Sequence, residues 1–162
     1  MPDGYPQNRM PIPFGADIIR DRTERYCVWK YRGRLWKQQP KYLTDNEMAF
    51  LTAMQIYGAR YVPNNIVRHD IETISMDFII NEPVTNSAKF MAHFQPVIDA
   101  LREANIRHGD LTEYAVLVRE NAPVLIDFSE SRWFDDPMPS KRREPDSIML
   151  MRTMRKLCKQ LT

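Results

Sequence analysis

Short apolar runs in the first half of the chain predict a β-sheet. They lie at residues 18–19, 26–31, 35–38, 66–69 and 73–80, and charged or turn-forming residues separate them. Short runs rich in β-branched and aromatic residues are typical of strands. Gly33, between Arg32 and Arg34, marks a tight hairpin turn. We therefore expect a small antiparallel sheet, with its strands joined mainly by hairpins.

A helix is predicted between these strands, over residues 44–57. Phe50, Leu51, Met54 and Tyr57 recur at helical spacing within it. Thr44 and Glu47 have the spacing of a capping box, in which the two side chains satisfy free amides at a helix start. Gly58 follows the last periodic residue and is the expected end of the helix.

Helical patterns dominate the second half of the chain, before and after a central hairpin. One helical stretch begins at residues 86–87, and Pro96 predicts either a bend in it or a break into two helices. Asn105 is a suitable left-handed terminator for that stretch. The last helix is expected to begin at Asp146, with an apolar stripe on one face and basic residues on the other.

Length and composition favour one domain. The chain has 162 residues, of which 43% are hydrophobic, enough for a sizeable core. Four prolines within residues 1–15 predict a flexible arm, because proline lacks the amide donor of helices and sheets. We expect a single folded domain over residues 16–162. The net charge of +2 neither favours nor excludes nucleic acid as a partner.

The chain shows no sequence feature of secretion or membrane insertion. Its two cysteines, Cys27 and Cys158, lack metal-ligand spacing and fit a reducing compartment. The start of the chain has no signal-peptide pattern, and no apolar run approaches the length of a membrane span. We expect a cytoplasmic, intracellular protein that does not contact membranes.

The candidate chemistry lies within residues 106–131, IRHGDLTEYAVLVRENAPVLIDFSES. Apolar runs at 115–118 and 124–128, joined by a polar turn, predict a β-hairpin. Asp110 lies just before the first strand and Asp127 at the end of the second. A carboxylate that follows an apolar strand is costly unless it is solvated, paired or metal-bound. Two such acids suit phosphoryl transfer, in which one orients the acceptor hydroxyl and the other holds Mg²⁺.

HGDLTEYAVLV followed by VLIDFSES resembles the catalytic loop and metal-binding segment of the protein-kinase-like fold, H-x-D-L-x-x-x-N and then a strand ending in D-F-G. The loop is similar to those of the small RIO-like kinases, including the kinase/ATPase subunit of the tRNA-modifying KEOPS complex. The resemblance implies an α+β, two-lobed fold with a small antiparallel sheet lobe at about residues 16–80. A truncated helical lobe would follow at about residues 84–162.

The resemblance also implies roles for particular residues. Asp110 takes the position of the catalytic aspartate, and Asp127 that of the Mg²⁺ ligand. Lys37 takes the position of the lysine that contacts the ATP phosphates, and Glu47 that of its partner on the helix. Met76 would lie at the back of the nucleotide pocket. The residues alone leave other roles open, namely a turn aspartate, an exposed strand lysine, a helix cap and a core methionine.

Further positions match the family in structural roles. His108 is expected to pack under the catalytic loop and to bond its backbone. Asp146 would reach back to the same loop, although it also suits the N-cap of the last helix. Residues 81–83 would form the hinge between the lobes, and residues 132–145 the activation segment.

The sequence departs from the family pattern at three places. Ala115 replaces the asparagine of the catalytic loop, Ser129 replaces the glycine of D-F-G, and the predicted loop at residues 21–25 contains no glycine. Glu113 is a possible substitute oxygen ligand for the metal. Mn²⁺ is considered beside Mg²⁺.

Two functions therefore stay open. One is an ATP- and Mg²⁺-dependent small kinase of serine/threonine type, or an ATPase, which transfers the γ-phosphoryl group to a protein hydroxyl or to water. The alternative is a pseudokinase that acts as a non-catalytic nucleotide- or protein-binding module. A protein partner is expected in either case. RNA is a further candidate partner, because of the KEOPS likeness and the basic last helix.

Overall fold

A five-stranded antiparallel sheet forms the first half of the structure. The computed structural model describes residues 10–23, 26–136 and 144–160. The strands are β1 (Asp17–Thr23), β2 (Tyr26–Tyr31), β3 (Arg34–Gln38), β4 (Val67–Asp70) and β5 (Thr73–Asp77), in the order β1-β2-β3-β5-β4. Arg32 and Gly33 have φ values of 51° and 73°, which are typical of the predicted two-residue hairpin turn.

The connection between β1 and β2 is shorter than the sequence predicted. Residues 21–25 were expected to form a loop, but β1 continues to Thr23, which pairs with Tyr26. Only residues 24 and 25 join the two strands, and they lie outside the described residues. A short hairpin keeps both strands in the ladder and needs no glycine-rich loop.

Helix α1 (Lys41–Tyr57) packs between the sheet and the second half of the chain. It begins three residues earlier than predicted, because Pro40 takes the N-cap position with φ −50° and ψ 150°. The Thr44 hydroxyl donates to the carbonyls of Gln39 and Pro40, so it caps no amide. The predicted capping box is therefore wrong, and Glu47 is left for another role.

Gly58 ends α1 as predicted, but glycine is required there by close packing and not by its backbone conformation. Its φ of −157° is extended backbone, which any residue can adopt. A Cβ atom at this position would lie 2.8 Å from the Cβ of Ala100 and 3.1 Å from the Cε of Met54. Glycine therefore lets the end of α1 approach α3 (Phe94–Glu103) closely.

The predicted helical stretch before the hairpin is two helices. Helix α2 (Ser87–Met91) ends before α3 begins, and the break lies at residues 92–93. Pro96 lies in the first turn of α3, where a missing amide costs no helical hydrogen bond. Asn105 has a φ of 62°, which confirms the left-handed terminator.

Two pairs of short strands and a last helix complete the fold. Strand β6 (Ile106–Arg107) pairs with β9 (Arg132–Trp133), and β7 (Val116–Arg119) pairs with β8 (Ala122–Leu125). Glu120 and Asn121 turn the β7–β8 hairpin with φ values of 52° and 56°. Helix α4 (Asp146–Lys159) is the last element. Half of the predicted activation segment, residues 137–143, lies outside the described residues.

The segment after β5 is attached to the β7–β8 hairpin. Glu82 N donates to the Val118 carbonyl, and Val118 N donates to the side-chain oxygen of Asn81. Two further amides, those of Thr85 and Asn86, donate to Asn121 Oδ1. The predicted hinge is therefore tied to the second lobe by backbone and side-chain hydrogen bonds.

One core connects the two halves. Its largest fully buried members from α1, the sheet, α3, the hairpin and α4 are Leu51, Met54, Ile74, Leu101, Leu125, Leu150 and Met154. Of the predicted arm, residues 1–9 lie outside the described part of the chain. Met10 N donates to Asp70, and Met10 O accepts from Gln38. Among the described residues, no helix has the length and apolarity that a membrane crossing requires.

Candidate functional site

Lys37 lies at the centre of a charged cluster that joins three elements. Its Nζ atom is 2.8 Å from Glu47 Oε1 of α1 and 2.9 Å from Asp127 Oδ1, just beyond β8. The predicted Lys37–Glu47 ion pair is thus formed. Lys37 is only 5% exposed, so it is not the exposed strand lysine of the alternative reading. A buried ammonium group requires such partners, because desolvation of an unpaired charge is costly.

Glu47 is held by several donors besides Lys37. It is 1% exposed, and its Oε2 atom accepts a hydrogen bond of 2.6 Å from the amide of Phe128. Its Oε1 atom also accepts from Gln39 Nε2 at 3.2 Å. These donors offset the cost of burying a carboxylate. Glu47 therefore ties α1 to the residue that follows Asp127.

Asp127 has an unusual backbone conformation. Its φ is 66°, in the left-handed region that non-glycine residues rarely adopt. Its Oδ1 atom accepts from Lys37 and from the Ser129 hydroxyl, the latter at 3.1 Å. Its side chain remains 34% exposed. Asp127 is thus both paired and accessible, and Ser129 at the family's glycine position provides one of its donors.

The charges of the cluster shift the pKa values of its members. Burial alone raises the pKa of Asp127, but the charge and hydrogen bond of Lys37, together with Ser129, outweigh it and lower the pKa. Burial alone lowers the pKa of Lys37, but Glu47, Asp127 and Tyr26 outweigh it and raise the pKa. Lys37 is therefore a cation and Asp127 an anion at neutral pH.

His108 has the structural role that was predicted. Its Nε2 atom is 2.7 Å from the Ile126 carbonyl, and its Nδ1 atom accepts from the Asp110 amide at 3.2 Å. A carbonyl can only accept and an amide can only donate, so the proton lies on Nε2. The ring also packs edge-on against Phe128 at 4.7 Å. His108 thereby joins the loop of Asp110 to the strand that leads to Asp127.

Asp146 reaches back to the same loop. Its two carboxylate oxygens accept from the amides of His108 at 2.7 Å and Gly109 at 2.9 Å. The N-cap of α4 is Pro145, so the alternative N-cap role of Asp146 is wrong. A carboxylate in the first turn of a helix also interacts favourably with the helix dipole.

Asp110 is exposed beside this scaffold. It lines an open groove of about 450 Å³ together with Gly109, Glu130 and Met149. Its carboxylate has no hydrogen bond or ion pair with other residues of the described ranges. An accessible carboxylate on a braced loop can accept a proton from a hydroxyl group that enters the groove.

The departure at Ala115 in the catalytic loop has structural consequences. Ala115 is buried, and its carbonyl accepts from the Ile126 amide at 2.9 Å. Its methyl group offers no metal ligand. Glu113 Oε1 is 3.0 Å from Lys156 Nζ, so α4 holds the suggested substitute ligand in an ion pair.

Met76 lies in the hydrophobic core. It is buried, and its strand position pairs with Leu35 of β3. This placement agrees with the core alternative. Leu35 is two positions before Lys37 on the same strand face, so Met76 also borders the side of the sheet that carries the charged cluster.

Tyr26 is a member of the site that the sequence reasoning missed. Lys37 Nζ lies 5.8 Å from the centre of its ring. Val28 pairs with Lys37 across β2 and β3, and Tyr26 is two positions before Val28. Residues of that spacing share one face of a strand. The strand alternation was the signal that could have identified Tyr26.

The carboxylates suit a metal that is shared with a substrate. Within the described ranges, no group of three or more His, Cys, Asp and Glu residues is placed to hold a metal ion. Mg²⁺ is usually bound through one or two carboxylates together with substrate phosphates and water. The accessible Asp127 carboxylate fits that mode of binding.

Comparisons with known proteins agree with this geometry. A family model described as RIO domain matches residues 19–160. The Rio2 kinase of Chaetomium thermophilum, solved as an ADP/Mg²⁺-phosphoaspartate complex, has a TM-score of 0.55 and 17% identity over 98% of this chain and 55% of that one. A second Rio2 kinase structure from this organism also has a TM-score of 0.55, with 20% identity over 83% of this chain and 52% of that one. These similarities confirm the predicted protein-kinase-like fold.

One curated relative also matches. The probable bifunctional tRNA threonylcarbamoyladenosine biosynthesis protein of Methanosphaera stadtmanae is 26% identical over 121 residues, which are 72% of this chain and 22% of the relative. The chain thus spans about a fifth of that relative's length, and about half of the two kinase structures.

Proposed function

Because the chain belongs to the RIO domain family of atypical kinases and ATPases, we propose that it binds ATP with Mg²⁺ between its two lobes. It would transfer the γ-phosphoryl group to a serine or threonine hydroxyl of a protein, or to water. The observation that carries this proposal is the buried Lys37 ammonium, paired with Glu47 and Asp127 beside the accessible loop of Asp110. Phosphoryl transfer needs such positioning and charge stabilisation more than covalent chemistry.

Lys37 would contact the ATP phosphates, with Glu47 as its orienting partner. The ammonium group has three donors, and one of them is directed at each carboxylate. Glu47 is fixed by the Phe128 amide, which keeps Lys37 in one place. Met76 would contribute to the back wall of the nucleotide pocket.

Asp127 would hold the metal ion, Mg²⁺ or Mn²⁺. Its lowered pKa keeps the carboxylate ionised, and its partly exposed side chain is open to a shared ligand. The chemistry that bound Mg²⁺ supplies is neutralisation of the charge on the phosphate oxygens. With Asp127 engaged in this way, a donor of Lys37 becomes available to a phosphate.

Asp110 would orient the acceptor hydroxyl and accept its proton. Its loop is braced on one side by the His108–Ile126 hydrogen bond and on the other by Asp146. A fixed loop is valuable here, because a general base must lie within hydrogen-bond reach of the proton that it removes.

A binding module without catalysis is the second candidate. Its specific support is Ala115, whose buried methyl group stands where the family's asparagine would offer an oxygen ligand. Such a pseudokinase would keep the Lys37 cluster for nucleotide or for structure alone. The two candidates differ in turnover, which makes them separable.

The proposed acceptor or partner is a protein rather than RNA. The basic face of α4 is the surface that suggested RNA, but Arg152 there pairs with Glu144, and Lys156 pairs with Glu113. These ion pairs reduce the charge that is available for phosphate groups of RNA. We place the proposed activity in the cytoplasm, where ATP is supplied.

A thermal-shift titration with ATP, with and without Mg²⁺, tests the proposal. A ligand that binds only the folded state raises the melting temperature, and an excess of about 100 times Kd adds about 2.7 kcal/mol. We expect a rise that requires the metal ion and is absent in Asp127→Ala. Phosphate release or autophosphorylation should follow in the wild type and vanish in Asp110→Ala. Binding without turnover would establish the pseudokinase, and the lack of any shift would overturn both nucleotide proposals.

A further inference from the structure

We propose that Trp133 is a positioning residue, which holds α1 in place and thereby keeps Glu47 on Lys37. Trp133 belongs to β9, at the start of the predicted activation segment, and in the described part of the chain no hydrogen bond or ring contact joins it to Lys37 or Glu47. Its relevance to nucleotide chemistry depends on the proposed function. Its effect on the position of Glu47 does not depend on that function and can be measured without nucleotide.

The contact between Trp133 and α1 is made through Phe50. The two rings lie 4.7 Å apart between centres and are tilted by 56°. Aromatic pairs at this distance and tilt are favourable beyond the area that they bury. Phe50 is three positions after Glu47, so both side chains lie on one face of the helix. A displacement of Phe50 should therefore move Glu47 as well, because less than one helical turn separates the two residues.

Trp133 is itself attached to the catalytic loop. It pairs with Ile106 in the β6–β9 ladder, and β6 leads directly to His108. The next residue, Phe134, donates its amide to the Asn105 carbonyl at 2.6 Å. This anchoring fixes the backbone of Trp133 relative to the catalytic loop.

The N-terminal half of α1 depends on the segment that contains Trp133. Asn46 Nδ2 donates to the Ser129 carbonyl at 3.2 Å, and Glu47 accepts from the Phe128 amide. The C-terminal end of α1 has a separate support, the close approach of Gly58 to α3. Phe50 lies between these two regions of α1, so its ring contact with Trp133 attaches the middle of the helix to β9.

Loss of the contact should uncouple the buried ion pair. Desolvation of Lys37 and Glu47 is offset only when their geometry is good, so a small displacement of α1 weakens the pair. Lys37, which is 5% exposed in the intact structure, would then become more accessible to a reagent in solution.

Amine acetylation read by mass spectrometry tests this inference. The variants are Trp133→Ala, Trp133→Phe as a conservative rescue, and Phe134→Ala as a matched control that removes a neighbouring aromatic ring, which packs on the guanidinium group of Arg107. Acetylation of Lys37 is compared with that of the exposed Lys41 in the same sample. We expect Lys37 labelling to rise severalfold in Trp133→Ala, because displacement of α1 uncovers the side chain, and to stay near the wild-type rate in the other two variants.

The outcomes separate this inference from the proposed function. Equal Lys37 labelling in Trp133→Ala and Phe134→Ala would overturn the positioning role, whatever ATP does. A rise confined to Trp133→Ala supports it, even if the wild type shows no thermal shift with ATP. If Trp133→Ala does not fold, Phe50→Leu removes the same contact while it keeps an apolar side chain in the core, and unchanged labelling in that variant would overturn the role.

Discussion

Lys37 Nζ donates a hydrogen bond of 2.9 Å to Asp127 Oδ1, across 90 positions of the chain. The bond joins the central strand of the sheet lobe to the end of the β7–β8 hairpin. The same ammonium group contacts Glu47, so one cation holds two carboxylates from separate elements. Stability and the proposed activity therefore depend on the same three side chains, and each of these side chains can be substituted on its own.

Removal of the Glu47 carboxylate should be strongly destabilising. Glu47→Ala leaves the buried Lys37 with one partner fewer and the Phe128 amide without its acceptor. Breaking a buried pair costs about 3–5 kcal/mol. Asp45→Ala, on the same helix, removes a partly exposed carboxylate paired with Lys41 and Arg68, and should cost about 1 kcal/mol or less. Urea denaturation measures both, and similar losses in the two variants would contradict the buried-pair account.

The stability of the protein should depend on Asp127 in acid. The folded state holds the pKa of Asp127 below its usual 3.8, so its contribution is complete above that value and is lost as pH falls through the folded pKa. Asp127→Asn should therefore be less stable than the wild type near pH 6, and the difference should shrink as the pH falls below 3.8.

The measurement is the free energy of unfolding in urea across this pH range. Ser129→Ala removes one donor from the same carboxylate and should change stability in the same direction, by less. A constant difference between wild type and Asp127→Asn at every pH would show that Asp127 does not supply the pH dependence.

Binding and turnover should respond to different residues. Asp110→Asn is expected to keep the Mg²⁺–ATP thermal shift and to lower phosphate release by about 10²–10⁴-fold, the usual contribution of a general base. Lys37→Met should abolish the shift itself, because it removes the phosphate contact. Glu113→Gln, on the same loop as Asp110 but paired with Lys156, is the control and should leave both signals unchanged. Equal turnover in Asp110→Asn and Glu113→Gln would remove Asp110 from the mechanism.

Asp146 should matter more to the fold than its neighbour Glu144. Asp146→Ala removes the acceptor of two amides in the catalytic loop, and hydrogen bonds to charged groups contribute about 1.5–3 kcal/mol each. Glu144→Ala breaks an exposed pair with Arg152, which is worth about 1 kcal/mol or less. Hydrogen exchange should show faster exchange of the His108 and Gly109 amides in Asp146→Ala alone. Protection that persists in that variant would contradict the bracing role.

Local signals in the sequence predicted local structure well where one residue decides the conformation. Gly33 and Asn105 adopt the positive φ that their small or polar side chains permit. The start of α1 was mispredicted because Thr44 carries a capping signal wherever it stands, whereas Pro40 determines the helix start through its fixed φ. The capping signal of Thr44 and the fixed φ of Pro40 lie within a few residues of each other, and the sequence pattern alone does not show which of them sets the start of the helix.

The sequence by itself determined the order of the elements and the chemical groups available to the site. Its motifs also identified Asp110, Asp127, Lys37 and Glu47 as candidates and indicated the fold. Tertiary structure alone decided that Lys37 meets both Glu47 and Asp127, that Glu113 is held by Lys156, and that Trp133 reaches α1. The reason is physical, since contacts between residues far apart in sequence depend on how strands and helices pack, and packing is a property of the whole core.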